Sequence, residues 1–243
     1  MLVLKTQNLS KVYGGKIVVD NVSICIEKGD IFGLIGQNGA GKTTFMKMIT
    51  SLVKPSSGSI ELFGEKEATK LGALRSRIGS VIETPALFDN LSAVQNLEYF
   101  CQQRGLTDKN RIQECLEIAG LTDTSTKKYK HFSLGMKQRL GFAVAILSHP
   151  DFLILDEPTN GLDPTGIVEM RELIKRLNNE GVTILVSSHN LPELAQTANK
   201  YAIIHMGQLV KNITHAQLQK ECNSQGINSL EEYYLKAIGG LKT

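Results

Sequence analysis

The sequence carries no Cys-x-x-Cys pair: its four cysteines, Cys25, Cys101, Cys115 and Cys222, lie far apart. That scatter excludes a cysteine metal cluster and predicts a reduced, cytosolic chain rather than a disulfide framework. No apolar run approaches the ~18–20 residues that cross a bilayer, and Met1 to Ser10 lacks the basic-then-apolar layout of a signal peptide. Charge of one sign is also missing. The 27 Lys and Arg against 24 Asp and Glu leave a net charge of +3, too mild for a nucleic-acid-binding stripe. The cluster Lys127, Lys128 and Lys130 reads as a solvated loop. Neither internal repeats nor low-complexity segments are present. The 243 residues suffice for one large domain or two small ones, and 42% hydrophobic with 21% charged residues is ordinary for a soluble globular chain.

What is present is a phosphate cradle. Gly36-Gln37-Asn38-Gly39-Ala40-Gly41-Lys42-Thr43-Thr44 satisfies the pattern G-x-x-x-x-G-K-[ST] in full. It follows the apolar run Ile31 to Ile35 and precedes a helical pattern of Phe45, Met48, Ile49 and Leu52, the strand and helix that the motif requires. Glycines let successive backbone N–H groups converge on phosphate oxygens, and the helix start adds its positive end. Lys42 is placed to reach the β- and γ-phosphates of a nucleotide, and the Thr43 hydroxyl to hold Mg²⁺.

Around this motif, hydrophobic patterning predicts short strands at Leu2 to Leu4, Ile17 to Ile26, Ile60 to Phe63 and Ile78 to Ile82, then helices from Pro85 to about Leu147. Ser92 with Gln95 three residues on forms a capping box for a helix ending near Gln103. Ile112, Leu116 and Ala119 share a face of a second helix, and a third follows Ser133. Strand character resumes at Phe152 to Leu155. Asp163 and Pro164 then open a helix with the stripe Ile167, Met170, Ile174 and Leu177. A strand over Val182 to Ser187, a hairpin about Gly207 and two short tail helices complete the chain. Alternating strands and helices predict an α/β fold with a largely parallel, doubly wound sheet and a small antiparallel subdomain. The expected division is a core of residues 1–83 and 141–213, an inserted helical subdomain over 84–140, and a helical tail over 214–243.

Phe152 to Leu155 ends in Asp156 and Glu157. Parallel sheets carry their chemistry at the carboxyl ends of their strands, so these acids are expected to meet the P-loop. Asp156 would hold Mg²⁺ through water, and Glu157 would polarise a water aimed at the γ-phosphate. His189 follows the next strand and emerges at the same edge, placed to contact the γ-phosphate or orient the water.

With these residues stand Phe132-Ser133-Leu134-Gly135-Met136-Lys137-Gln138-Arg139 and Asn160-Gly161-Leu162-Asp163. Together the motifs resemble the ATP-binding cassette (ABC) ATPases over about residues 1 to 215. The first run resembles that family's signature loop, usually L-S-G-G-Q, and the second its D-loop. Tyr13 sits where the family places an aromatic that stacks on adenine. Ser133 opens a helix, so its hydroxyl and nearby N–H groups make a second anion site. The resemblance implies a head-to-tail dimer in which Ser133 and Gly135 of one copy, with Asp163 nearby, close on ATP held by the other.

The pattern is departed from twice. Leu134 and Met136 replace a glycine and the glutamine of the signature, while Ser133 and Gly135 are kept. Glu83 stands where the family usually has Gln, in the loop that touches Mg²⁺ or the attacking water. Its added charge would either strengthen Mg²⁺ binding or slow turnover. Glu83 with Pro85 and the Phe132–Arg139 run resembles the ATPase subunits of transporters for lantibiotic self-protection and bacitracin resistance. The resemblance implies an ATP-hydrolysing subunit that docks on separate membrane-spanning permease subunits at the inner face of the cell membrane, exports an antimicrobial peptide, and binds no nucleic acid. Two other readings are open: a sensor that dimerises on ATP but barely turns over, and an ABC ATPase with no transporter.

Overall fold

The computed structural model describes residues 1–239 apart from Pro85, Lys109 and Ser125; the proline that accompanies Glu83 in the family pattern therefore lies outside the described residues. The strands are β1 (Leu2–Tyr13), β2 (Lys16–Val22), β3 (Cys25–Glu27), β4 (Ile31–Ile35), β5 (Ser57–Leu62), β6 (Ile78–Val81), β7 (Phe152–Leu155), β8 (Thr183–Ser188), β9 (Lys200–His205) and β10 (Gln208–Thr214). The helices are α1 (Lys42–Ile49), α2 (Ala68–Leu74), α3 (Ala93–Gln103), α4 (Asn110–Ile118), α5 (Leu134–Ile146), α6 (Pro164–Asn179), α7 (Leu191–Leu194), α8 (His215–Ser224) and α9 (Leu230–Ala237).

One sheet runs β3-β1-β2-β10-β9-β4-β8-β7-β6, with β5 paired to β1 off that path. Neighbours from β9 through β4, β8 and β7 to β6 are all parallel. Pairings of β1 with β2, β3 and β5 are antiparallel, as expected of the small β subdomain. A single parallel pair, Gln208 with Asp20, joins the two regions.

The central strands are apolar on both faces because both faces are covered. Successive side chains on a strand point to opposite sides, and they sort into two cores. Phe32, Leu34, Phe152, Ile154 and Leu185 face α1, α2 and the antiparallel strands. Ile31, Ile35, Leu153, Leu155 and Val186 face the core built by α3 to α9. Gly79 of β6 is set hard against α5: a Cβ there would lie 2.2 Å from the Ala145 carbonyl oxygen.

Three expectations change. The strand expected from Leu2 to Leu4 runs on to Tyr13, because β1 pairs with β3 and β5 through its first half and with β2 through its second. Within it Thr6 is buried, and its hydroxyl donates to the Val22 carbonyl and accepts from the Ile24 N–H, so a polar residue continues the strand. The run Ile17 to Ile26 is split into β2 and β3 at Ser23 and Ile24, and Asn21, near the end of β2, takes a left-handed φ of 51°, a conformation Asn tolerates. Finally, α1 stops at Ile49 and leaves Leu52 65% exposed; Ser51 at φ 66° turns the chain.

Candidate functional site: a P-loop facing two acids

The P-loop joins β4 to α1. Gly41 caps α1 at φ 103°, and a Cβ there would lie 2.6 Å from the Val18 carbonyl oxygen; both facts require glycine. Gly36 is equally confined, since its Cβ would lie 2.4 Å from the Ile204 carbonyl oxygen. Lys42 is buried. Its ammonium donates to the carbonyls of Gly36 at 2.5 Å and Gln37 at 3.2 Å, and forms an ion pair with Glu157 Oε1 at 3.0 Å. Gln37, Asn38 and Gly39 are exposed at the turn, Ala40 is buried beneath it, and Thr44 lies half-buried in the first turn of α1.

The acids arrive as the parallel register dictates. Leu155 pairs with Val81 on one side and Val186 on the other, so the next residue, Asp156, ends between the strand edges. Thr43 Oγ1 donates to Asp156 Oδ2 at 2.7 Å across 113 positions of sequence. Ser187 Oγ donates to Asp156 Oδ1 at 2.7 Å and accepts from the Glu157 N–H at 2.8 Å. Glu157 takes a left-handed φ of 49°, costly for a residue with a Cβ. Its second carboxylate oxygen lies 2.9 Å from His189 Nδ1. The structure thus brings Lys42, Thr43, Asp156, Glu157 and His189 together. Sequence reasoning missed Ser187, whose signal is a hydroxyl at the carboxyl end of an apolar strand, two residues before the histidine.

Glu83 and Thr84 line one cleft of about 410 Å³ with Asp156 and Glu157. Glu83 sits at φ 60° and pairs with Lys47 of α1 at 2.8 Å, a partner the sequence reading did not assign. Tyr13 ends β1, 46% exposed, and the Lys11 ammonium lies 4.8 Å from its ring centroid. Ser133 and Asp163 are N-caps: Ser133 Oγ accepts from the Met136 N–H and Asp163 Oδ1 from the Gly166 N–H. Ser133, Gly135 and Asp163 line a second cleft of about 440 Å³ to which no P-loop residue contributes.

The tail also approaches the site. Helix α9 packs against α7, which follows His189. The buried Tyr234 hydroxyl stands by the Gln37 backbone N–H without an aligned hydrogen bond. Burial pushes the Tyr234 phenol up, and that N–H pulls it part of the way down.

The model of the family described as "ABC transporter" matches residues 19–160. This chain belongs to the ABC transporter family. The bacitracin transport ATP-binding protein BcrA of Bacillus licheniformis is 48% identical to the ABC subunit over 219 residues, 90% of this chain and 72% of BcrA. The lantibiotic transport ATP-binding protein SrtF of Streptococcus pyogenes is 44% identical over 235 residues, 97% of each chain. A solved ATP-binding subunit of an ABC transporter superposes with a TM-score of 0.85 at 30% identity, covering 97% of this chain and 99% of that one. The ATP-binding cassette MJ0796, a dimer in a post-hydrolysis state bound to ADP and Pi, gives a TM-score of 0.79 at 26% identity over 87% of this chain and 98% of its own. The ABC subunit is therefore a transport ATPase, binding ATP and hydrolysing it. Among the described residues no helix is long and apolar enough to cross a membrane.

Proposed function

We propose that this ABC ATPase drives export of a lantibiotic or similar antimicrobial peptide by hydrolysing ATP between two copies of itself. The arrangement that carries the reading is the pair of contacts Thr43–Asp156 and Lys42–Glu157 at the sheet edge. The phosphates lie along residues 36–44, with Tyr13 stacked on adenine. Water attacks the γ-phosphorus in line as its bond to the β–γ bridging oxygen breaks, and ADP leaves with that oxygen. Glu157 is the general base or water-orienting group, and His189 holds its carboxylate from the far side. Lys42 and the partner copy's signature serine, equivalent to Ser133, stabilise the transferring charge.

Thr43 and Asp156 offer a hydroxyl and a carboxylate side by side, two hard oxygen donors of the kind Mg²⁺ takes together with phosphate and water oxygens. The chain fits that ion, which when bound would neutralise charge on the β- and γ-phosphates. Glu83, on the same cleft, adds a further carboxylate within this reading. Residues 84–140 serve as the helical subdomain that presents Ser133 and Gly135 to the partner copy's nucleotide, and residues 1–83 with 141–213 as the nucleotide-binding core.

Separate permease subunits cross the membrane, and one of their short helices docks beside the Glu83 loop. That places the subunit in the cytoplasm, peripheral to the membrane. The peptide cargo is supported by the likeness to BcrA and SrtF. Phosphate release by the purified chain, with and without its permease, tests the reading. Hydrolysis stimulated by the permease and abolished by Lys42→Ala is the expected result; background turnover in both conditions would favour an ATP-gated sensor.

A further inference from the structure

We infer that Ser187 is a positioning residue for hydrolysis, setting the metal-side acid and the water-side acid with a single hydroxyl. The inference rests on the roles proposed above for Asp156 and Glu157.

Ser187 lies one residue beyond the last β7–β8 pair, Leu155 with Val186, and its side chain is fully buried. A serine hydroxyl has one proton to donate and lone pairs to accept with. The proton goes to Asp156 Oδ1, and a lone pair takes the Glu157 N–H. Asp156 is thereby held from both sides, by Ser187 at Oδ1 and by Thr43 at Oδ2, each at 2.7 Å. A carboxylate pinned at both oxygens cannot rotate about its terminal torsion, so the oxygen beside Thr43 stays where the phosphate end of the P-loop needs it.

The second bond acts on backbone. Glu157 has to turn its side chain from the strand axis toward Lys42 and His189, and it does so at φ 49°. A left-handed residue with a Cβ persists only where its surroundings over-determine it. Of its backbone groups, the N–H is held by Ser187 and the carbonyl by the Asn160 N–H at 3.1 Å. Ser187 thus ties the acid that would face the metal to the turn that aims the acid facing the water. Alanine would leave a buried N–H unpaired and free one carboxylate oxygen; valine would do the same in the β-branched shape of threonine, one methyl larger than serine.

The test compares full-length wild type with Ser187→Ala, Ser187→Thr and Ser187→Val. Threonine and valine have nearly the same shape and differ by the hydroxyl alone, so the comparison survives even if alanine does not fold. Loss of the hydroxyl should lower kcat about 10- to 100-fold while leaving KM for ATP within about twofold. The gain in affinity that Mg²⁺ confers on a fluorescent ATP analogue should shrink in Ser187→Val and be largely kept in Ser187→Thr, a binding readout that a general loss of stability would not move selectively. Equal kcat and equal Mg²⁺ dependence in the threonine and valine variants would overturn the role of Ser187. Glu157→Gln, run alongside, separates the two claims: if it hydrolyses ATP at the wild-type rate the base assignment fails, whereas if it is inactive and Ser187→Val is not impaired, only the present inference fails.

Discussion

Lys42 has three N–H bonds and meets three protein oxygens, from Gly36, Gln37 and Glu157. In the proposed mechanism a γ-phosphate approaching that ammonium would compete with Glu157 for it, so the contact that draws phosphate in would also release a carboxylate oxygen for water. That would give the buried ion pair a role beyond stability, to which buried pairs contribute little net. The Glu83–Lys47 pair is a different case. Glu83 is 61% exposed, and exposed pairs contribute only about 0–1 kcal/mol. Glu83→Gln should therefore leave the thermal midpoint almost unchanged while altering the hydrolysis rate or its Mg²⁺ dependence. Steady-state kinetics over a Mg²⁺ titration checks this, and identical curves would make Glu83 a bystander.

Between elements, steric fit and caps decide more than charge. Gly79→Ala would push a methyl into the Ala145 carbonyl of α5. Overpacking of this kind costs about 1–3 kcal/mol, and with backbone as the obstacle the upper end is expected. Thermal unfolding should register that loss without any change at the P-loop itself. The tail has a charge clamp: hydrogen bonds from Lys211 and then Tyr233 hold the Glu221 carboxyl below its ordinary value of 4.5. The folded carboxylate accordingly takes a proton less readily than the unfolded one. Its stabilisation is complete above the unfolded value and is lost as pH falls through the depressed folded value. Glu221→Gln should lower the thermal midpoint at neutral pH, and the gap to wild type should close in that acid window; a gap independent of pH would reject the clamp.

At the scale of the whole molecule, no P-loop residue lines the cleft of Ser133, Gly135 and Asp163 within one copy. The proposed stroke needs a second copy to unite P-loop and cleft. Glu157→Gln should bind ATP, stall before hydrolysis and run as a dimer on a sizing column, and a further Ser133→Arg change should return it to a monomer. A monomer at saturating ATP in the single variant would argue against the shared interface.

Much of the site was legible because its signals are local. Cap positions Ser92, Ser133 and Asp163 all start helices as their spacing predicts, since a cap is a contact across three residues. Strand ends were less legible: β1 outran its apolar letters because Thr6 finds buried partners on neighbouring strands. The P-loop, the Asp-Glu strand end and the histidine were each determined by the order of residues, because backbone geometry over a few positions dictates what such segments can do. Which side chains touch was decided by tertiary structure alone. Parallel register brings Thr43, Asp156 and Ser187 within hydrogen-bond reach, α1 lends Lys47 to Glu83, and the tail sets Tyr234 beside Gln37. The strand-end position of Asp156 already pointed it at the P-loop, but no spacing in the chain encodes the contacts of Ser187, Lys47 and Tyr234, because each depends on how two separately formed surfaces slide into contact.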